Sequence, residues 1–560
     1  MAYLKNQILD VEITDISDNG EGIGKVDGYT LFVKDALIGD KVRARLTKVK
    51  KNYSFARLEE IITPSKDRVE PPCKYYRQCG GCQIQAMSYE AQLKFKSDKV
   101  ENDLVRIGGF DKEFIESISE PIIGIENPFR YRNKAQYPIG LSKDGEIIAG
   151  FYAGRTHSII SNTKCLLGCE ENEQILKTII SYMNKNGISP YDEVSERGIV
   201  RHVLIRKGFT TSEIMVCVVI NADKLKNEEM LVSMLTENPD IKSISINVNK
   251  KNTNVILGDT CRTLFGTETI TDYIGDVKFK ISPLSFFQVN PVQTKKLYDK
   301  ALEYADLSGN ETVWDLYCGI GTISLFLARN AKHVFGIEIV PEAILDAKEN
   351  AKINGIENAS FYTGAAENLA PELLSGKLDT SVSKDDAIAD VIVVDPPRKG
   401  CDETLLNTIL SVKPERIVYV SCDPATLSRD LKILTASGEY ELRKVCAVDQ
   451  FSQTVHVETV CLLSKLHEAK HHVSVTLDMD EMDLTSAESK ATYEEIKKYA
   501  AEHNDGMNVS SLNIAQVKRK CGLELAENFN LPKSEDFRQP QCPKEKAEAI
   551  MEALKAFRMI

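Results

Sequence analysis

Between residues 286 and 466 short apolar runs alternate with helical patterns, and several of the runs stop at an unusual turn: "TVWDLYCGIGTISLFLARN", "HVFGIEIVPEAILDAKENAKING", "DVIVVDPPRKG" and "RIVYVSCDPATLSRDLKIL". Strands alternating with helices of ten to fifteen residues predict a parallel, doubly wound sheet. In such sheets ligands gather beyond the carboxyl ends of the strands. The turn residues are therefore the candidates for chemistry.

In "WDLYCGIGTISL" a strand, a glycine-containing turn and a helix start follow one another, so Gly319 and Gly321 are expected to let the backbone approach a ligand. Glu338 closes the next strand, about twenty residues on, where a carboxylate can accept the ribose hydroxyls of a nucleoside. A nicotinamide dinucleotide site would need a third glycine, and Ser324 stands there instead. No Walker lysine is present. A nucleoside ligand without pyrophosphate, such as S-adenosylmethionine, fits Asp315, Gly319, Gly321 and Glu338 better. Asp395 ends another strand before two prolines, which fix the backbone and remove two donors. Arg398 and Lys399 follow it, either as phosphate contacts or as solvated charges.

Cys422 ends the strand after Asp395, so both are expected to face one crevice. A free cysteine is most often a small buried hydrophobe. If the substrate is a pyrimidine, however, a thiolate added to C6 turns C5 into a nucleophile. A base must then take the C5 proton. In "FSQTVHVETV", read as an alternating strand, His456 and Glu458 share a face, and Glu458 is the candidate base. Arg429 is one source of charge to lower the thiol's pKa. Cys401 is a rival nucleophile that follows no apolar strand directly, and Cys318 is expected only to pack.

The remainder divides by pattern. Residues 1–62 read as short strands with glycine-rich turns, a small barrel. From Lys41 to Leu58 the chain holds seven bases (Lys41, Arg43, Arg45, Lys48, Lys50, Lys51, Arg57) and no acid, with Tyr53 and Phe55 among them. Such a strand suits a phosphate backbone and stacked bases, although an edge strand guarded by charge is the plainer reading. Residues 63–285 mix helices and strands, "VRHVLIRKG" and "EIMVCVVIN" forming a strand pair. Within them "PPCKYYRQCGGCQIQ" clusters Cys73, Cys79 and Cys82, with Cys165 the best fourth thiol and Cys169 the reserve. Zinc and an iron–sulfur cluster are equally compatible with that spacing alone. After the 286–466 region, residues 467–560 change character: an acidic "LDMDEMD" reads as a linker, and three helical patterns follow. The second ends in Lys518–Lys520 with Gly522 as its expected cap. This tail is either a helix-turn-helix-like pair or a small helical appendage.

The chain has 560 residues, enough for about three or four domains. Its apolar fraction of 42% and charged fraction of 27% are those of a soluble globular protein. No run of about 18 apolar residues appears, and the charged, alternating start is not a signal peptide. The expected location is the cytoplasm, where its 14 cysteines stay reduced. A net charge of −12 argues weakly against nucleic acid, but local charge decides.

Together "CKYYRQCGGC", "SPLSFFQVN", "DLYCGIGTISL", "GIEIVPEAI", "VDPPRKG", "YVSCDPATLSRDL" and "FSQTVHVETVCLL" resemble the RNA uracil-C5 methyltransferase family, and within it the TRAM-bearing 23S ribosomal RNA branch. The likeness covers residues 1 to about 465. It implies a multidomain protein: a TRAM barrel (1–62) that binds RNA, a central α+β domain (63–285), a Rossmann-like α/β methyltransferase domain (286–466) and a helical extension (467–560) of no assigned role. It further implies that Gln288, Tyr317, Glu338 and Asp395 contact S-adenosylmethionine, and that Cys422 is the nucleophile and Glu458 the base. By the same likeness Cys73, Cys79, Cys82 and Cys165 hold a structural [4Fe–4S] cluster. The family's second acidic cofactor contact is unassigned, with Glu367 a candidate. The expected partner is 23S ribosomal RNA, acted on by a monomer. The alternatives are the family's transfer-RNA branch, a cytosine-C5 methyltransferase and a non-catalytic RNA-binding protein that keeps the fold.

Overall fold

Period-two alternation folds the start of the chain into a closed barrel, in the order β1-β2-β3-β5-β4. Its strands are β1 (Ile8–Ile16), β2 (Gly22–Val26), β3 (Tyr29–Lys34), β4 (Lys41–Val49) and β5 (Tyr53–Thr63). Val11, Ile13, Leu31, Val33, Val42 and Leu46 point inward and fill it, while β4 pairs back onto β1 and removes the free edge. This is a computed structural model, and it describes residues 3–466, except 155, 379–382 and 384, and then 493–504, 507–521 and 542–557.

Residues after the barrel do not form one layer. Helix α1 (Tyr89–Asp103), α2 (Lys112–Ile118) and strand β6 (Ser119–Ile123) pack on the sheet formed by the later part of the chain. Strands β7 (Lys134–Leu141), β8 (Ile147–Tyr152), β9 (Ile159–Ser161), β10 (Val200–Lys207), β11 (Ile214–Ile220), β12 (Ile241–Val248) and β13 (Thr260–Gly266) make a separate seven-stranded sheet. In it β10 and β11 pair antiparallel, as their sequences suggested. Helices α3 (Glu171–Asn186) and α4 (Glu228–Leu235) supply Ile175, Ile179, Met183 and Leu231 to its core. A hairpin, β14 (Ile270–Ile274) and β15 (Val277–Ile281), leads on to α5 (Pro291–Ala305).

The predicted alternation then appears as β16 (Thr312–Leu316), α6 (Thr322–Ala328), β17 (His333–Glu338), α7 (Pro341–Ile353), β18 (Ala359–Thr363), α8 (Ala366–Ser375), β19 (Val391–Val394), α9 (Glu403–Val412), β20 (Arg416–Ser421), α10 (Pro424–Thr435), β21 (Tyr440–Val448) and β22 (Glu458–Lys465). The sheet order is β18-β17-β16-β19-β20-β22-β21-β6. From β16 the chain moves outward through β17 and β18, then returns on the other side of β16 as β19. That reversal opens a crevice at the carboxyl ends of β16 and β19. Strand β22 runs antiparallel between β20 and β21, and β6 adds parallel to β21 at the edge.

In the second unit α11 (Tyr493–His503), α12 (Ser511–Lys520) and α13 (Lys544–Ala556) fall on the three helical patterns of the tail. They enclose Ile496, Ile514, Val517, Ile550 and Leu554. Gly522 and the acidic "LDMDEMD" stretch lie outside the described residues. No helix among the described residues is long and apolar enough to cross a membrane.

Helix α1 is fastened to the eight-stranded sheet by charge. The Lys96 ammonium, fully buried, donates to Asp449 at 2.5 Å and to the Phe451 carbonyl at 3.0 Å. Removing one partner of a buried pair strands the other. Lys96→Ala is therefore expected to destabilise the fold by about 3–5 kcal/mol, while Lys96→Met with Asp449→Asn, which keeps an acceptor for the Tyr89 and Ser452 hydroxyls, should recover much of the loss. A urea midpoint lowered in the single variant and largely restored in the double would check this.

Candidate active site

Seven of the eight residues predicted at the catalytic and cofactor positions line one cavity of about 1190 Å³: Gln288, Tyr317, Gly319, Glu338, Asp395, Cys422 and Glu458; His456 lies beside them. The eighth, Gly321, does not. A Cβ there would stand 3.1–3.2 Å from Phe361 and Ala347, whereas one at Gly319 would enter open space. Gly321, at φ +80°, thus serves close helix packing, and Gly319 is the residue that bares the backbone to the cavity.

The floor of the cavity is acidic. The Gly319 N–H donates to Glu338 Oε2 at 3.2 Å and the Val340 N–H to Oε1 at 2.9 Å, which fixes the carboxylate at the end of β17. Ser324, in place of the third glycine, donates its hydroxyl to Asp315 Oδ2. Asp315 Oδ1 is buried without a partner. Burial raises Asp315 to about 7 against the opposing Ser324 hydrogen bonds, and Glu338 adds to the rise. Burial, then the charge of Asp315, also raises Asp395 to about 7. Glu367, at the start of α8, lines the same cavity.

Strands β20 and β22 bring Cys422 and Glu458 together. Ser421 pairs with Thr459, so the next step along the ladder sets Cys422 beside Glu458. The turn ends at once because Asp423 caps α10, accepting from the N–H groups of Ala425 (3.0 Å) and Thr426 (3.1 Å), with Pro424 in the first turn. Burial pushes the Cys422 thiol up to about 12, helped by Glu458 and Asp395 and opposed by Arg398. Burial, then Asp395, raises Glu458 to about 8, again against Arg398.

Several local readings change. "FSQTVHVETV" is not one alternating strand: residues 451–457 form a turn and β22 starts at Glu458. His456 reaches the cavity from that turn, half-buried. Arg429 pairs with Asp430 at 2.6 Å and donates to the carbonyls of Lys399 and Cys401, so its charge is committed there. The charge acting on Cys422 is Arg398, which sequence spacing marked only as a phosphate contact or a solvated group. Cys401 is buried, its N–H held by Asp430 at 2.8 Å, and Cys318 is buried in the core beneath the glycine turn.

A second groove, of about 780 Å³, meets the first at Arg398, Cys422 and His456. Phe32, Lys34, Phe55 and Arg57 of the barrel form one wall of it. The rings of Phe32, Tyr53 and Phe55 cluster with centroids 5.5–5.9 Å apart. The arginines of the base-rich run are paired: Arg43 with Asp10 and Glu60, while Arg45 and Arg57 share Glu59. Those acids lie on neighbouring strands or just past the run.

Cys73, Cys79, Cys82 and Cys165 all line a third cavity, of about 420 Å³. Cys169 does not; its thiol donates to the Arg132 carbonyl at 3.4 Å. Burial, then the neighbouring thiols Cys165 and Cys73, raises Cys79 despite an opposing Gly81 N–H, and Cys82 is raised further by burial and the same cluster. Among the described residues no three Cys, His, Asp or Glu side chains are drawn together around a single metal ion.

A sheet with this order, a glycine turn after its central strand and carboxylates on the next strand ends is that of a Rossmann-like methyltransferase. A family model described as tRNA (uracil-5-)-methyltransferase matches residues 213–466, and a TRAM domain model matches residues 4–58. An uncharacterized RNA methyltransferase of Halalkalibacterium halodurans is 50% identical over 460 residues, 82% of this chain and 97% of that protein. One from Clostridium tetani is 48% identical over 467 residues, 83% and 98% of the two chains. The crystal structure of Pyrococcus abyssi tRNA (uracil-54, C5)-methyltransferase with S-adenosyl-L-homocysteine aligns at a TM-score of 0.63 and 28% identity, over 81% of this chain and 100% of that one. The chain belongs to the RNA uracil-5-methyltransferase family, whose members take their methyl group from S-adenosylmethionine. The unpartnered Asp315 oxygen, the bare Gly319 backbone and the fixed Glu338 carboxylate suit that cofactor.

A cationic sulfonium favours ionised carboxyl groups. Asp315 and Asp395, raised to about 7, and Glu458, raised to about 8, hold protons under mildly acidic conditions. Cofactor binding is therefore expected to release protons, with affinity climbing between about pH 6 and about pH 8 and then levelling. Calorimetry in buffers of different ionisation enthalpy measures this; a pH-independent affinity with no proton release would contradict it.

Proposed function

We propose that the protein methylates C5 of uridine in 23S ribosomal RNA through a covalent adduct at Cys422. The observation that carries the mechanism is the neighbouring placement of Cys422 and Glu458 at the ends of β20 and β22, on the cavity that suits the cofactor. A stacked base cannot reach such a cavity, so the target uridine is flipped out of its strand. The groove meeting the cavity at Cys422, with the barrel aromatics on its wall, is the natural seat for the flanking strand.

Cys422 adds as thiolate to C6, forming the S–C6 bond and placing carbanion character on C5. S-adenosylmethionine, when bound, supplies the methyl group that C5 accepts. Glu458 then takes the C5 proton, the electrons of that C–H bond restore the C5–C6 double bond, and the S–C6 bond breaks to return the thiolate. Glu458 must shed its own proton before it can act, and a cation bound beside Asp395 favours that loss. Cys422→Ala is expected to lower turnover by at least about 1000-fold while leaving cofactor affinity within about threefold. Glu458→Gln should accumulate a protein–RNA adduct that survives denaturation on a gel. Turnover near the normal rate in Cys422→Ala, or no adduct with Glu458→Gln, would refute the mechanism.

A ribosomal RNA target rests on the likeness to the TRAM-bearing branch. Transfer RNA is the second reading, favoured by the substrate in the name of the Pyrococcus abyssi neighbour. Mapping 5-methyluridine in both RNAs, from cells with and without the gene, separates them.

The cysteine cavity fits a [4Fe–4S] cluster held by Cys73, Cys79, Cys82 and Cys165. Cys73, Cys79, Cys82 and Cys165 line one cavity and are the four-thiol donor set such a cluster takes, and the likeness to the TRAM-bearing branch favours it over zinc. Methyl transfer from a sulfonium needs no electron, so the cluster's role is structural. Anaerobically purified protein is expected to contain iron and acid-labile sulfide in equal amounts, and Cys82→Ser to lose both. Stoichiometric zinc without sulfide would reject the cluster.

A further inference from the structure

The covalent step places an anion where the protein has gathered others. Cys422 is surrounded by Glu458 from β22, Asp395 from beyond β19 and Asp423 from the cap of α10. Burial and these carboxylates hold the thiol well above its ordinary range, so at pH 7 it is overwhelmingly protonated. The Arg398 guanidinium, which lines both cavities together with Cys422, is the positive charge that opposes them at the thiol. His456 stands next to it on the same wall, where burial and the cations Arg398, Lys96 and Lys99 hold it toward the neutral form against Asp423. The imidazole therefore adds no dependable positive charge.

The fold holds the Arg398 backbone firmly in that place. Strands β19 and β20 are parallel neighbours, so the residues past their ends lie side by side. Pro396 and Pro397 stiffen the exit from β19. The Thr426 hydroxyl, in the first turn of the helix that Cys422 precedes, donates to the Arg398 carbonyl at 3.1 Å. Two residues on, Gly400 adopts φ +76°, and a Cβ there would stand 2.5–2.6 Å from Arg429 and Asp430. The loop is thus sewn to α10, with Arg398 on the seam where the two cavities join.

We propose that Arg398 is a positioning residue for the methyl transfer, its guanidinium supplying the counter-charge that lets Cys422 attack as a thiolate. This rests on Cys422 being the nucleophile. Other residues whose charge is spoken for, such as Arg429, cannot replace it.

The test reads the thiol in the free, full-length protein. Iodoacetamide labelling of Cys422, followed by peptide mass spectrometry between pH 7 and pH 9, measures the thiolate fraction directly. In Arg398→Gln the labelling rate is expected to fall about tenfold at every pH, one pK unit of lost stabilisation, and Arg398→Lys to restore most of it. Single-turnover adduct formation with saturating RNA carrying 5-fluorouridine, whose C5 fluorine no base can remove, should fall and recover in parallel. Unchanged labelling in Arg398→Gln overturns the proposal. So does a variant whose defect is confined to RNA affinity, which would make Arg398 a phosphate contact. If labelling depends on Arg398 while the wild-type protein forms no adduct, the counter-charge stands and the nucleophile assignment fails.

Discussion

A single buried ion pair governs the position of the proposed base. Asp449 accepts from Lys96 of α1, from the Tyr89 hydroxyl at 2.7 Å and from the Ser452 hydroxyl at 2.6 Å, so its carboxylate is fully engaged. The turn that follows is gripped from several sides: Gln92 exchanges hydrogen bonds with Gln453, Tyr131 donates to the Ser452 carbonyl, and Asn290 donates to the Gln450 carbonyl. The Gln83 N–H, one residue past the cysteine motif, donates to the Gln453 carbonyl. This turn delivers His456 to the cavity and ends at Glu458. The helix, the cysteine loop and the start of α5 therefore converge on a few residues whose geometry sets where a proton can be taken.

Electrostatics explain why the cavity tolerates so many acids. Each carboxyl group in it raises its neighbours, and burial raises them all, so near neutral pH the cluster hovers between charged and uncharged states. A cationic cofactor resolves that conflict by favouring the ionised forms. The thiol has the opposite need, because the carboxylates that welcome a cation resist a thiolate. One site thus makes contrary demands on its charge, and the arginine on the seam between the cavities answers the second.

The α/β portion was legible because its signals are local. Period, length and turn chemistry fix each strand and place Asp395, Glu338 and Cys422 at strand ends, whatever the rest of the chain does. Readings that depended on neighbours in space fared less well. The arginines in Lys41–Leu58 are paired by Asp10, Glu59 and Glu60, which lie outside the run, so spacing within it overstated its free charge. Gly321 looked like Gly319 until Phe361 and Ala347 arrived against it. Alternation in "FSQTVHVETV" mimicked a strand because a tightly hydrogen-bonded turn buries its side chains just as well. Nothing in the sequence of α1 and β6 announced that they pack with a sheet whose other strands begin at residue 312. Their partners are too distant for any periodicity to reveal.

That distance bears on how the protein is made. Lys96 and Asp449 are 353 residues apart, and an ammonium whose counter-ion has not yet been synthesised must stay in water. The barrel can close as soon as it leaves the ribosome, but the sheet-facing side of α1 has to wait until nearly all of the first unit has been translated. During that interval Val100 of α1 and Leu104 just past it, which pack into the core of the later sheet, are exposed to chaperones and to other nascent chains. The last strands to emerge therefore both complete the reaction centre and release the N-terminal helix from its long exposure.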